Sequence, residues 1–98
     1  MNAEIKEKWI KALESGDYMK ARKNLYGGGG CYCAIGVLCD VINPGGWKKG
    51  LWATTHVDFE ANNLGELKRS DVNKVIALND KDNLTFKEIA SWLKEASL

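Results

Sequence analysis

The residues of this chain whose chemistry could be catalytic or metal-binding are three cysteines, Cys31, Cys33 and Cys39, and a single histidine, His56. A thiolate beside an imidazole makes a nucleophile, but no spacing brings His56 next to Cys33 or Cys39. A zinc site would draw on Cys31, Cys33, Cys39 and His56. Cys-x-Cys followed, after five intervening residues, by a third Cys lacks the usual knuckle spacing, however, and buried free cysteine more often serves as a small hydrophobe. Asp80-x-Asp82-Asn83 begins like a calcium loop but lacks the turn glycine and the closing bidentate glutamate. The residues therefore predict no catalytic group, no metal and no cofactor.

Binding chemistry is easier to place. Lys20, Arg22 and Lys23 precede Gly27-Gly28-Gly29-Gly30, which leads into the apolar Cys33–Ile42 element. Free N–H groups of Gly29, Gly30 and the helix entrance could cradle a phosphate. Arg22 is the leading ligand because its planar fork can take two phosphate oxygens, with Lys20 and Lys23 as point charges. The run is neither of the established phosphate-loop motifs, and a plain flexible connection accounts for it as well. Trp52 and His56 share the polar side of an alternating stretch and could stack on a base. The plainer alternative folds Trp52 over the rim of the core and leaves His56 exposed.

The elements that must position these groups follow from periodicity. Ala3 to Glu14 places Ile5, Trp9, Ala12 and Leu13 on one helical face, with Glu4–Lys8 and Glu7–Lys11 paired on the other. Tyr32 to Asp40 is apolar on every side of a helical wheel, as in a buried central helix, and Gly36 there allows another backbone to approach. Leu51 to Phe59 alternates as a strand does, with Leu51, Ala53, Val57 and Phe59 on the inner side. Ser70 is placed to cap a helix carrying Val72, Val75 and Ile76. Thr85 and Glu88 form a capping box for the last helix, whose inner residues are Phe86, Ile89, Ala90 and Leu93. The expected fold is mainly α within the α+β class: one small domain over residues 1–98, its central helix packed by an N-terminal helix and a C-terminal helical hairpin, with a short strand or hairpin around 51–59.

Composition narrows the function classes. The net charge is +1, with eight Lys/Arg against five Asp/Glu in residues 1–50 and six against eight in residues 51–98, so no global attraction to nucleic acid is expected and an anion would seek the N-terminal half. Three cysteines cannot all pair within one chain, and neither a leader pattern nor a membrane-length apolar run is present, which predicts reduced thiols and a cytoplasmic setting without membrane contact.

Along most of its length the chain resembles a group of small, mostly phage-encoded proteins of undetermined activity with a Cys-Cys-Leu-Gly-Val-Leu-Cys-Asp-like core. The match is carried by Trp9, Ala12, Leu13, Ser15, Gly16, Tyr18, Arg22 and Leu25, then by Cys33, Gly36, Val37, Leu38, Cys39 and Asp40. It ends with Leu78-Asn79-Asp80 and Phe86, Glu88, Ile89 and Ala90. Ala34 replaces the second motif cysteine, and Leu51–Phe59 has no counterpart. The resemblance implies a phage protein working in the bacterial host cytoplasm. Two functions compete: a non-enzymatic binder that sequesters a nucleotide-like immune signal to counter host defence, and a protein-binding inhibitor or adaptor of a host machine. A shallow site on one small domain is deepened by an interface between subunits, so a homo-oligomer is among the expected partners.

Overall fold

A computed structural model describes the whole chain, Met1–Leu98. Helix α1 (Ala3–Ser15) starts where Asn2 Oδ1 accepts from the Ile5 N–H at 3.0 Å and stops at Gly16, whose φ of 80° is the left-handed conformation that ends helices. Its apolar face buries Trp9 and Leu13, contributing on the order of 2 kcal/mol each. The Trp9 indole N–H donates to the Ala34 carbonyl at 2.9 Å, so the largest core side chain is also satisfied in its one polar group.

The segment that is apolar on all sides forms α2 (Ala34–Ile42), in which every residue from Ala34 to Cys39 is buried. It lies at the centre of a 17-residue core and packs on α1 and on α4 (Arg69–Asp80). A Cβ added at Gly36 would lie 1.9 Å from the Leu25 carbonyl oxygen, which is the close backbone approach its glycine predicts. Helix α5 (Phe86–Glu95) begins with both halves of the capping box: Glu88 N–H donates to Thr85 Oγ1 at 3.1 Å, and Thr85 N–H to Glu88 Oε1 at 3.0 Å. The α4–α5 hairpin straddles the older pair, α4 against α2 and α5 chiefly against α1. Helix α4 starts after Lys68, two residues earlier than a Ser70 cap would place it, and no side chain caps it.

The β component is larger than the periodicity predicts. Five short strands, β1 (Met19–Lys20), β2 (Tyr26–Gly28), β3 (Cys31–Tyr32), β4 (Trp47–Lys49) and β5 (Thr54–His56), form a sheet of order β1-β3-β2-β5-β4. Within it β1 runs parallel to β3, and the other pairs are antiparallel. The glycine run is not a loose connector into a helix. Gly29 and Gly30, at φ 59° and 79°, make the two-residue turn of the β2–β3 hairpin, a geometry that demands positive φ at both positions. The expected strand over 51–59 shrinks to Thr54–His56, because Gly50–Ala53 turns back onto β4 and Val57–Glu60 closes into a short helix, α3. The inside-outside assignment of that stretch is exchanged at Leu51 and Ala53, which are exposed, and at His56, which is buried, whereas Trp52 is exposed as the outer side requires and Phe59 packs against the core.

Candidate functional site

The three basic residues expected to hold phosphate turn toward the α4–α5 loop. Lys20 Nζ donates to Asn83 Oδ1, Arg22 Nη2 to the Asp80 carbonyl at 2.9 Å, and the Lys23 backbone N–H to Asp80 Oδ1 at 2.9 Å. Beneath them lies Asn79, wholly buried yet fully used. Its Oδ1 accepts from Ala34 N–H at 3.1 Å, and its Nδ2 donates to the Ala21 carbonyl at 2.9 Å and to Asp80 Oδ1 at 2.8 Å. Burial pushes the Lys20 ammonium pKa down, and the neighbouring Arg22 charge adds to the shift. At the entrance to α2, Cys33 Sγ accepts from Gly36 N–H at 3.3 Å. The Ala34 and Gly36 N–H groups at the start of α2 are thus occupied and buried, and Gly29 and Gly30 sit in the hairpin turn rather than at that helix end.

Cys33, Cys39 and His56 are held in the packed interior. Burial pushes Cys33 up to about 11 and Cys39 up to about 12, so both are protonated near neutrality. His56 is 0 % exposed, with its ring beneath Gly46, where an added Cβ would come within 2.6 Å, and edge-on to Trp47. Its Nε2 lies 2.7 Å from the Asn43 carbonyl and its Nδ1 accepts from Asp58 N–H at 3.1 Å, which together assign the neutral tautomer protonated on Nε2. His56 is therefore a latch between the Asn43 turn, β5 and α3, and it cannot stack on a base. Asp58 Oδ2, 3.7 Å from Nδ1, is buried without a hydrogen-bond donor. No three His, Cys, Asp or Glu side chains converge as a metal site would require.

Asp40 binds the sheet to α2 in a similar way, accepting from Tyr18 Oη–H at 2.6 Å and from Trp47 Nε1–H at 3.0 Å. Burial, followed by that hydrogen bond to Asp40, raises the Tyr18 pKa. Tyr18, Tyr32, Tyr26 and Trp47 continue as a chain of ring contacts with centroids 4.9 to 5.9 Å apart.

The open concavity lies where this sheet comes apart. β2 and β5 pair only at Tyr26↔Thr54, and continuing that register would set Gly27 opposite Ala53 and Gly28 opposite Trp52. The two segments separate instead, and a groove of about 610 Å³ opens between them, walled by Tyr26, Gly27 and Gly28 on one side and by Lys49, Trp52 and Thr54 on the other, with Asn24 at its end. Trp52 is 95 % exposed and its neighbour Leu51 94 %, both at the tip of the β4–β5 hairpin. The structure thus brings Trp52 to the glycine run but keeps Lys20, Arg22, Lys23 and His56 out of the groove. Lys49, Asn24 and Tyr26 take their places. The sequence signal for Lys49 was its position beside Trp47 in a glycine-flanked segment, but only the β4–β5 pairing shows which way it points.

Residues 1–50 match the profile of a domain of unknown function, DUF8296. The chain belongs to this family. The DUF8296 match runs from α1 through β4 and stops one residue short of Leu51, so it includes the Lys49 and glycine walls of the groove but not Trp52. No curated protein and no solved structure matches the chain.

Proposed function

We propose that the protein is a non-enzymatic binder of a nucleotide-like anion, held in the groove between β2 and the β4–β5 hairpin. The observation that carries this reading is the composition of the groove: a freely exposed indole, one lysine and glycine main chain left unpaired on its β5 side line one concavity of ligand size. Trp52 supplies a face on which a base stacks, Lys49 supplies charge for a phosphate, and the Gly27–Gly28 backbone admits close approach. The buried, protonated thiols of Cys33 and Cys39 and a histidine with both nitrogens engaged support binding without turnover. In the phage setting that the sequence resemblance implies, such a binder would withdraw a nucleotide signal from the host. Calorimetric titration with purine mononucleotides tests it: binding that is lost in Trp52→Ala and weakens with salt is the expected result, and no heat from any nucleotide would sink the reading.

A second reading is favoured by one specific observation. Leu51 and Trp52 stand exposed side by side at a hairpin tip, and a solvent-facing pair of large apolar residues is a common anchor for a protein partner. On this reading the chain is an inhibitor or adaptor of a host protein. Capture of one bacterial protein by the native chain but not by Leu51→Ser/Trp52→Ser, with no nucleotide binding, would select it.

A further inference from the structure

We infer that the groove takes a nucleotide carrying a single phosphate, as a monoester or a diester, and not a nucleoside polyphosphate; this rests on the nucleotide reading above. Of the ten residues lining the groove, Lys49 is the only charged one. The nearby cations stand outside the groove's lining. Lys48, adjacent in β4 and so pointing to the opposite face of the sheet, pairs with Glu60 at 3.3 Å. Arg22 and Lys20 donate to the α4–α5 loop, and Lys23 lines a separate cavity with Cys33, Phe59 and Asp80. A triphosphate brings three to four negative charges and usually a magnesium ion. Polyphosphate sites answer this with several cations and with carboxylates that hold the metal. This groove has one cation and no carboxylate.

What the groove does offer suits a base and one phosphate. The Trp52 indole can cover a purine face, and Lys49 can neutralise one phosphate charge. Asn24 directs its Nδ2 to the Arg22 carbonyl at 3.4 Å, leaving Oδ1 as an acceptor for an exocyclic amino group. No covalent step is involved, and the ligand leaves as it arrived.

The test is a titration of the intact chain with adenosine, adenosine monophosphate, 3′,5′-cyclic adenosine monophosphate and ATP with and without magnesium, together with the guanosine series. Either the monophosphate or the cyclic diester should bind roughly tenfold tighter than its nucleoside, the worth of one charge-assisted hydrogen bond, and ATP should gain no further affinity. Lys49→Ala should erase the phosphate increment while leaving nucleoside binding in place; Lys49 and Trp52 are exposed, and unchanged far-ultraviolet spectra would certify that the variants fold. ATP binding about tenfold tighter than the monophosphate, or binding that requires magnesium, overturns the single-phosphate inference but leaves the nucleotide reading standing. A phosphate increment unchanged in Lys49→Ala overturns the inference too. If no nucleoside or nucleotide binds, the reading itself falls and the inference with it.

Discussion

The entrance to α2 and the tip of the β4–β5 hairpin are built on opposite principles. At the first, Asn79, Cys33, Asp80 and the Leu25 carbonyl satisfy the backbone N–H groups of Ala34, Gly36, Lys23 and Cys33, and no room is left for an added methyl group at Gly36. At the second, Leu51 and Trp52 touch almost nothing and the ladder between β2 and β5 is left open. Buried polar networks are costly to leave half made, so the first region is expected to tolerate almost no change. The hairpin tip contributes little to stability, and its side chains are available for binding.

Substitutions should rank accordingly. Gly36→Ala drives a Cβ onto the Leu25 carbonyl, which also accepts from Cys33 N–H, so its cost should exceed the roughly 3 kcal/mol upper range of ordinary overpacking; near-native chemical denaturation would show that the crossing is not rigid. Asn79→Ala strands the Ala34 N–H in the core and frees the 21–23 loop, with a loss of roughly 2 to 3 kcal/mol expected in the same assay.

Alkaline pH should erode the packed region next. The Cys33 and Cys39 thiols are raised by burial above their ordinary value of 9, to about 11 and about 12, so the unfolded chain releases its thiol protons first. Their stabilisation is complete below about pH 9 and is lost as pH climbs through the folded values. Denaturation midpoints measured at neutral and alkaline pH should fall over that window, and less steeply in Cys39→Ala; equal slopes would argue against thiol burial as the cause. Thr85→Ala removes one helix cap at the edge of this region and should cost about 1 kcal/mol, read as a lowered unfolding midpoint. Trp52→Ala lies at the far end of the scale, with stability within about 0.5 kcal/mol of the native chain even though its ligand binding is expected to vanish.

What was legible in the sequence follows the same division. The capping box at Thr85, the buried run through Cys39 and the close approach at Gly36 are local consequences of residue type, and the structure contains all of them. The sheet was illegible because its strands are only two or three residues long, too short for an alternating pattern to show. His56 read as exposed because the alternation was phased from Leu51, which lies in the turn before β5, so the two faces were exchanged within the strand, where the His56 imidazole in fact caps α3. Arg22 and Lys20 read as free cations because their acceptors, at Asp80 and Asn83, lie about sixty residues away in the chain. Trp52 was singled out correctly as a loose aromatic, but Lys49 could not be set beside it without the register of β4 on β5.

Asn79 also bears on how this sequence can be cut. The DUF8296 match ends at residue 50, yet the α2 entrance inside it is completed by an amide from residue 79, the Trp9 face of α1 is roofed by α5, and β2 and β4 both lean on β5. The border of family similarity is therefore not a border of folding. A fragment truncated at Gly50 would lose the Asn79 amide, the α5 roof and the β5 pairing together, and is not expected to hold this fold by itself.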